Sequence, residues 1–178
     1  MLLIDFILGF ACIVVFGLLM ITVANLFTGV PSVPTPHRLV REMITMLDLK
    51  GNETVFDLGA GDGRFLTAVK KRYPKVTAVG CEIVPTLWFW GFLRAKVLRI
   101  PIELKLQSAF TMDIRNADRV FLYLFPNIME KLGAKFDREL RPGTMVVCLT
   151  FPFPNRMPVE TKIVKGRFGP TKVFVYRW

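Results

Sequence analysis

The sequence predicts an α/β fold: a doubly wound, mostly parallel seven-stranded sheet with an antiparallel C-terminal hairpin, preceded by one apolar N-terminal helix. Three observations predict it. Strand-like and helix-like segments alternate from Thr54 to Thr150, the pattern of βαβ units. Two late strand-like runs, Glu160–Lys165 and Lys172–Arg177, have a Gly-Pro turn between them and no helix. From Phe6 to Pro36 no side chain is charged.

The elements follow in chain order. Phe6–Phe27, FILGFACIVVFGLLMITVANLF, has the length of about 20 apolar residues that crosses a bilayer. A cleaved signal peptide would carry a basic n-region, and here that region holds Asp5 without Lys or Arg. A buried core helix would be shorter and show a polar stripe. Residues 1–30 are therefore expected to form a transmembrane anchor, with the bilayer as partner of residues 6–27. Arg38 and Arg41 after the span, against Asp5 before it, predict a single-pass membrane protein with its remaining domain in the cytoplasm.

Residues 31–50 read as a proline-containing connector and a helix. Three prolines fall between Thr28 and Pro36, TGVPSVPTP, and stiffen the chain. Thr35 suits an N-cap and Pro36 a first helical position. The helix then runs to about Leu47, with Leu39, Val40, Met43, Ile44 and Leu47 on one face.

Residues 51–178 form the main domain. Strands are expected at Thr54–Leu58, Val76–Cys81, Ile102–Leu106, Arg119–Leu124 and Thr144–Thr150, and helices at Arg64–Tyr73, Pro85–Leu98 and Asn127–Leu140. The helix Pro85–Leu98 is apolar on two stripes, Trp88/Phe92/Ala95 and Phe89/Leu93, which cannot both face one sheet. One stripe belongs to the core; the other either joins it or meets a bilayer interface.

The chain is 52% hydrophobic with a net charge of +10. Without residues 1–30 it keeps 24 basic and 13 acidic side chains, a net +11. Such charge suits anionic lipid headgroups or RNA phosphates. The expected anchor favours lipid, and no added nucleic-acid-binding domain is present, so nucleic acid is not an expected partner. Cys12, Cys81 and Cys148 show no ligand spacing and there is one histidine. No metal is expected, and the thiols read as reduced and structural.

The chemistry concentrates in VFDLGAGDGRF, Val55–Phe65. A strand ends at Asp57-Leu58, and Gly59, Gly61 and Gly63 turn the chain into a helix. No Gly-Lys-Ser/Thr follows, so this is not a nucleotide-triphosphate loop, and the spacing G-x-G-x-G is not G-x-G-x-x-G. Asp57 and Asp62 would repel a pyrophosphate. They suit a ligand with an ammonium group and a sulfonium, which describes S-adenosylmethionine. Glu82 ends the second strand, 25 residues after Asp57, where a carboxylate can accept both hydroxyls of a ribose.

With these marks the chain resembles the class I S-adenosylmethionine-dependent methyltransferases, whose sheet is Rossmann-like. VPSVPTPHRLVREM, VFDLGAGDGRF and AVGCEI are similar to a group of protein-lysine methyltransferases with archaeal and membrane-anchored mitochondrial members. The resemblance covers residues 30–178. It implies that Asp57, Gly59, Gly61 and Gly63 hold the methionine end of the cofactor and that Glu82 holds the ribose. It implies that the segment around Pro34 and Thr35 closes over the cofactor. Gln107 and Ser108 stand where the family usually has Asp or Asn against adenine, so Gln107 or backbone takes on that contact. Tyr123, in Tyr123-Leu124-Phe125-Pro126, stands at the strand end where such enzymes meet the methyl acceptor, and is expected to orient the amine rather than to act as a base.

The resulting expectation is a membrane-anchored methyltransferase that N-methylates a lysine of a protein, one associated with a membrane. Three alternatives stay open. The acceptor is a lipid or small membrane molecule; the chain is a non-catalytic module with the cofactor fold; or, more weakly, the acceptor is RNA.

Overall fold

The computed structural model describes residues 2–28, 35–166 and 169–178. Helix α1 (Leu2–Thr28) is followed by α2 (His37–Met46), β1 (Thr54–Leu58), α3 (Arg64–Arg72), β2 (Thr77–Glu82), α4 (Pro85–Val97), β3 (Glu103–Leu106), β4 (Arg119–Leu122), α5 (Pro126–Glu139), β5 (Met145–Leu149), β6 (Glu160–Gly166) and β7 (Gly169–Arg177).

One seven-stranded sheet has the order β3-β2-β1-β4-β5-β7-β6. β1 to β5 run parallel, and β7 is antiparallel to both β5 and β6. The inner parallel strands β1, β2, β4 and β5 are mostly buried and largely apolar, as coverage of both faces requires; the edge strand β3, ELKL, is largely exposed. Alternate residues divide the core. Val55, Ala78, Phe121 and Val147 face α2 and α3. Phe56, Val79, Val120, Leu122 and Cys148 face Met129, Leu132 and Phe136 of α5.

Two local expectations shift. The cap of α2 is Pro36 rather than Thr35, and no side chain caps it. A proline already holds the extended backbone that a cap needs. The hairpin pairs Gly166 with Gly169 and Lys165 with Pro170, which moves the Gly-Pro pair out of the turn and into β7. Pro170 lies beyond the five residues, 173–177, that pair with β5, so its missing N–H breaks no ladder bond on that side.

Helix α4 buries only its small seam, Gly91 and Ala95. Trp88 belongs with the sheet, its indole donating to the Leu104 carbonyl at 2.9 Å. Phe89 and Trp90 are 51% and 56% exposed.

The expectation of a single-pass membrane protein is overturned. Among the described residues no helix is long and apolar enough to cross a membrane. The cytoplasmic orientation inferred from Asp5, Arg38 and Arg41 falls with it, and contact of residues 6–27 with a bilayer is not shown.

Candidate active site

The strand order reverses beside β1: β2 and β3 lie on one side, β4 and β5 on the other. Ligands of open α/β sheets bind outside the carboxyl ends of the strands at such a switch point. A cavity of about 450 Å³ opens there, within the usual range for a small-molecule site.

Its floor is the glycine turn. Gly59, Gly61 and Gly63 have φ of 84°, 55° and 67°, left-handed values that explain the three glycines at alternate positions. The turn hangs on β2: the Gly59 and Ala60 amides donate to the Cys81 carbonyl at 3.0 and 2.9 Å. A side chain at Gly61 would project into open space, and Gly61 lines the cavity. The backbone there is open to a ligand.

Two carboxylates flank the turn. Asp57 is 3% exposed and Glu82 6%, and both line the cavity. Burial pushes the Asp57 carboxyl well above the ordinary carboxylate range, and the charges of Glu82 and Asp62 push it further. No hydrogen bond to the charged form offsets these effects. Glu82 is braced: it accepts the Gly61 amide at 2.8 Å and the Val84 amide at 2.9 Å. A carboxylate has about four lone-pair sites, so two remain free.

Thr35, Gln107, Ser108 and Tyr123 also line the cavity. Thr35 is buried; Pro34 lies outside the described residues. Gln107 turns its amide onto Thr111, donating to the carbonyl at 3.0 Å and to Oγ1 at 3.3 Å. Ser108 Oγ accepts the Phe110 amide at 3.2 Å. Gly63 is the N-cap of α3 and is absent from the lining.

The sequence reading placed Tyr123-Leu124-Phe125-Pro126 at this end of the sheet but missed Ile128 and Phe151. Phe125 and Phe151 stack with centroids 6.0 Å apart, and both line the cavity together with Leu124, Ile128 and Arg64. Thr150, at φ 74°, turns the chain out of β5. Phe153 is held by its amide on the Tyr176 hydroxyl at 3.0 Å and by rings of Phe136, Tyr176 and Trp178. The anchor at Phe153 fixes the loop carrying Phe151. The run Phe151-Pro152-Phe153-Pro154 after a strand was the available signal.

Cys81 and Cys148 are buried and free. Desolvation pushes the Cys81 thiol up to about 12, which leaves it inert at neutral pH.

The lining fits S-adenosylmethionine. Among the described residues Asp57 is a buried carboxylate without a cationic partner and Glu82 has two free lone-pair sites, and the turn between them exposes backbone.

Residues 57–160 match the family described as the ANTKMT methyltransferase domain. The chain is 32% identical over 150 residues to a protein-lysine N-methyltransferase of Saccharolobus islandicus (strain REY15A), covering 83% of this chain and 92% of that protein. It is 29% identical over 151 residues to the adenine nucleotide translocase lysine N-methyltransferase of Mus musculus, covering 83% of this chain and 62% of that protein. Among solved structures it is similar to an RNA methyltransferase from Salinibacter ruber in complex with S-adenosyl-L-homocysteine. That likeness has a TM-score of 0.76 and 31% identity, and covers 82% of this chain and 93% of the other. The matched residues 57–160 take in the glycine turn, both acids and Tyr123, and on that ground the chain belongs to the protein-lysine N-methyltransferase family of class I S-adenosylmethionine-dependent methyltransferases.

Proposed function

We propose that this enzyme N-methylates the side-chain amine of lysine in a protein, and that the protein is membrane-associated. Residues 51–178 are the methyltransferase domain in this reading. Asp57 takes the cofactor's ammonium, Glu82 the ribose, the glycine turn the methionine end, and Gln107 and Ser108 the adenine side. When bound, S-adenosylmethionine supplies a methyl group on a sulfonium. The observation that carries the acceptor reading is the second half of the cavity, walled by Tyr123, Leu124, Phe125, Ile128 and Phe151.

An apolar wall of this kind does two things for a lysine. It packs the aliphatic stem, and it desolvates the ammonium, which lowers its pKa and favours the neutral nucleophile. Aromatic faces also hold a cationic amine before and after reaction. Tyr123 orients the amine through its hydroxyl. Placement supplies most of the rate in such a transfer. The names of the archaeal and mouse relatives support lysine. A translocase as the mouse enzyme's substrate supports a membrane-associated acceptor.

Phe151→Ala is expected to raise KM for the acceptor by about tenfold or more, the size of a lost aromatic contact. The dissociation constant of S-adenosylhomocysteine should stay within about twofold. A loss confined to the cofactor constant would place Phe151 on the other half of the site.

RNA is the second reading. The similar Salinibacter ruber protein is an RNA methyltransferase, and the net charge of +10 suits a polyanion. One experiment separates the readings. The purified protein is incubated with methyl-labelled S-adenosylmethionine, native membranes and total RNA, and the products are fractionated. Label in methyl-lysine after protein hydrolysis supports the proposal; label in nucleosides or in the lipid extract overturns it.

A further inference from the structure

Two sequence marks, Pro34-Thr35-Pro36 and Gly61-Asp62-Gly63-Arg64, lie far apart in the chain. One hydrogen bond joins them: Arg64 Nη1 donates to the Thr35 carbonyl at 3.1 Å. The same guanidinium forks onto Asp62, Nε to Oδ1 at 2.9 Å and Nη2 to Oδ2 at 2.7 Å. The Arg64 amide reaches Oδ1 at 3.3 Å. Arg94 of α4 adds its Nη2 to Oδ2 at 2.9 Å, and its Nε is buried without a partner.

Asp62 and Arg64 together thus join three elements: Arg64 holds the end of the connector, and Asp62, in the glycine turn, holds Arg64 and Arg94 of α4. Burial works against its charge, but the hydrogen bonds and charges of Arg64 and Arg94 outweigh it and hold the carboxyl below its ordinary range. It stays ionised at neutral pH, so the two guanidiniums are bridged rather than opposed. Thr35, Asp62 and Arg64 all line the cavity. Thr35 is part of the wall of the site, and Arg64, through the Thr35 carbonyl, ties it to the turn that forms the floor.

We infer that Arg64 is a positioning residue: it clamps the end of the connector against the glycine turn and so keeps the cofactor enclosed. The clamp requires arginine rather than a cation in general. One planar fork serves a bidentate carboxylate and a carbonyl together, and an ammonium cannot match that geometry.

The test uses the full chain and S-adenosylhomocysteine as probe. Arg64→Met keeps the apolar stem and removes the fork. Dissociation, followed by stopped-flow tryptophan fluorescence, is expected to quicken about 10- to 100-fold, the value of a charge-assisted hydrogen bond. Amide exchange over residues 35–40 should quicken with it. The melting temperature of the ligand-free protein should fall by no more than about 3 °C, as befits a partly exposed ion pair. Arg64→Lys should recover at most about threefold of the lost retention. Unchanged dissociation in Arg64→Met overturns the inference, as does full recovery by Arg64→Lys, which would reduce the role to charge. A fall of about 10 °C or more with dissociation unchanged also overturns it, since the residue would then serve the fold alone.

Discussion

Asp57→Asn is expected to raise the melting temperature of the ligand-free protein while weakening its affinity for S-adenosylmethionine by about 100-fold or more. Asp57 is buried, and burial, with Glu82 and Asp62 nearby, raises its pKa in the folded state. Its unfolded value is about 3.9. The folded state therefore binds the proton more tightly than the unfolded state. Below the unfolded pKa the carboxyl is neutral in both states and costs nothing. As pH rises from there through the folded pKa, stability is lost, and the loss is complete at neutral pH when the folded pKa lies below it.

Asparagine has nearly the same shape without the charge. It should stabilise by about 1–2 kcal/mol at pH 7, which for a chain of this size is about 2–8 °C. The same charge is what an ammonium needs. Its loss should weaken cofactor binding by about 100-fold or more. In the native protein the affinity should tighten as pH rises through the Asp57 pKa, by up to tenfold per unit, and then level off. Asp57→Asn should be flat over that range. Calorimetry at several pH values, with thermal melts alongside, reads all of this. A variant that melts lower and binds normally would make Asp57 a structural residue.

Gly91→Val should unsettle fold and site together. Gly91 lies mid-helix, where a glycine is normally a liability of about 1 kcal/mol relative to alanine. Here it is the contact between α4 and the glycine turn. A Cβ at Gly91 would stand 2.6 Å from Leu104 Cδ2, 3.0 Å from the carbonyl carbon of Asp62 and 3.2 Å from the Gly61 oxygen. Leu104 can rotate. The turn cannot, because Glu82 holds the Gly61 amide and Cys81 holds those of Gly59 and Ala60.

Overpacking of this kind costs about 1–3 kcal/mol, and a branched side chain stands at the upper end. The variant should melt about 5–12 °C lower and bind S-adenosylhomocysteine about tenfold more weakly, since the displaced backbone is the floor of the cavity. Gly91→Ala sets the clash against a gain in helix propensity and should sit between the two. A Gly91→Val variant with native stability would mean that α4 moves off the turn without cost.

The glycine-turn half of the cavity was legible because its requirements are local. Left-handed φ values at Gly59, Gly61 and Gly63 write glycine into fixed positions, and Asp57 and Glu82 stand at strand ends. The aromatic wall was less so. Tyr123 follows β4, Phe125 precedes α5 and Phe151 follows β5; each is an ordinary aromatic in its own segment. Arg64 was visible as part of a motif, but nothing local names Thr35 as its partner, and the choice between Thr35 and Pro36 as the α2 cap depended on backbone angle alone.

The membrane expectation had a different fate, because it rested on apolar run length and flanking charge. Among the described residues no helix meets the length and apolarity that a span needs. The pattern of the aromatic helix is compatible with core and surface alike. The structure decided for a seam of Gly91 and Ala95 with Trp88 on β3, leaving Phe89 and Trp90 outside.

By itself the sequence determined the alternation of strands and helices, the parallel sheet, the glycine turn with its two acids, and hence the cofactor. These are set by hydrophobic period and by backbone angles that only some residues adopt. The tertiary structure decided where β7 inserts, which aromatics meet across the carboxyl ends of β4 and β5, and which carbonyl Arg64 holds. Those depend on strand order and close packing between segments distant in the chain, and a side chain's local neighbours do not encode them.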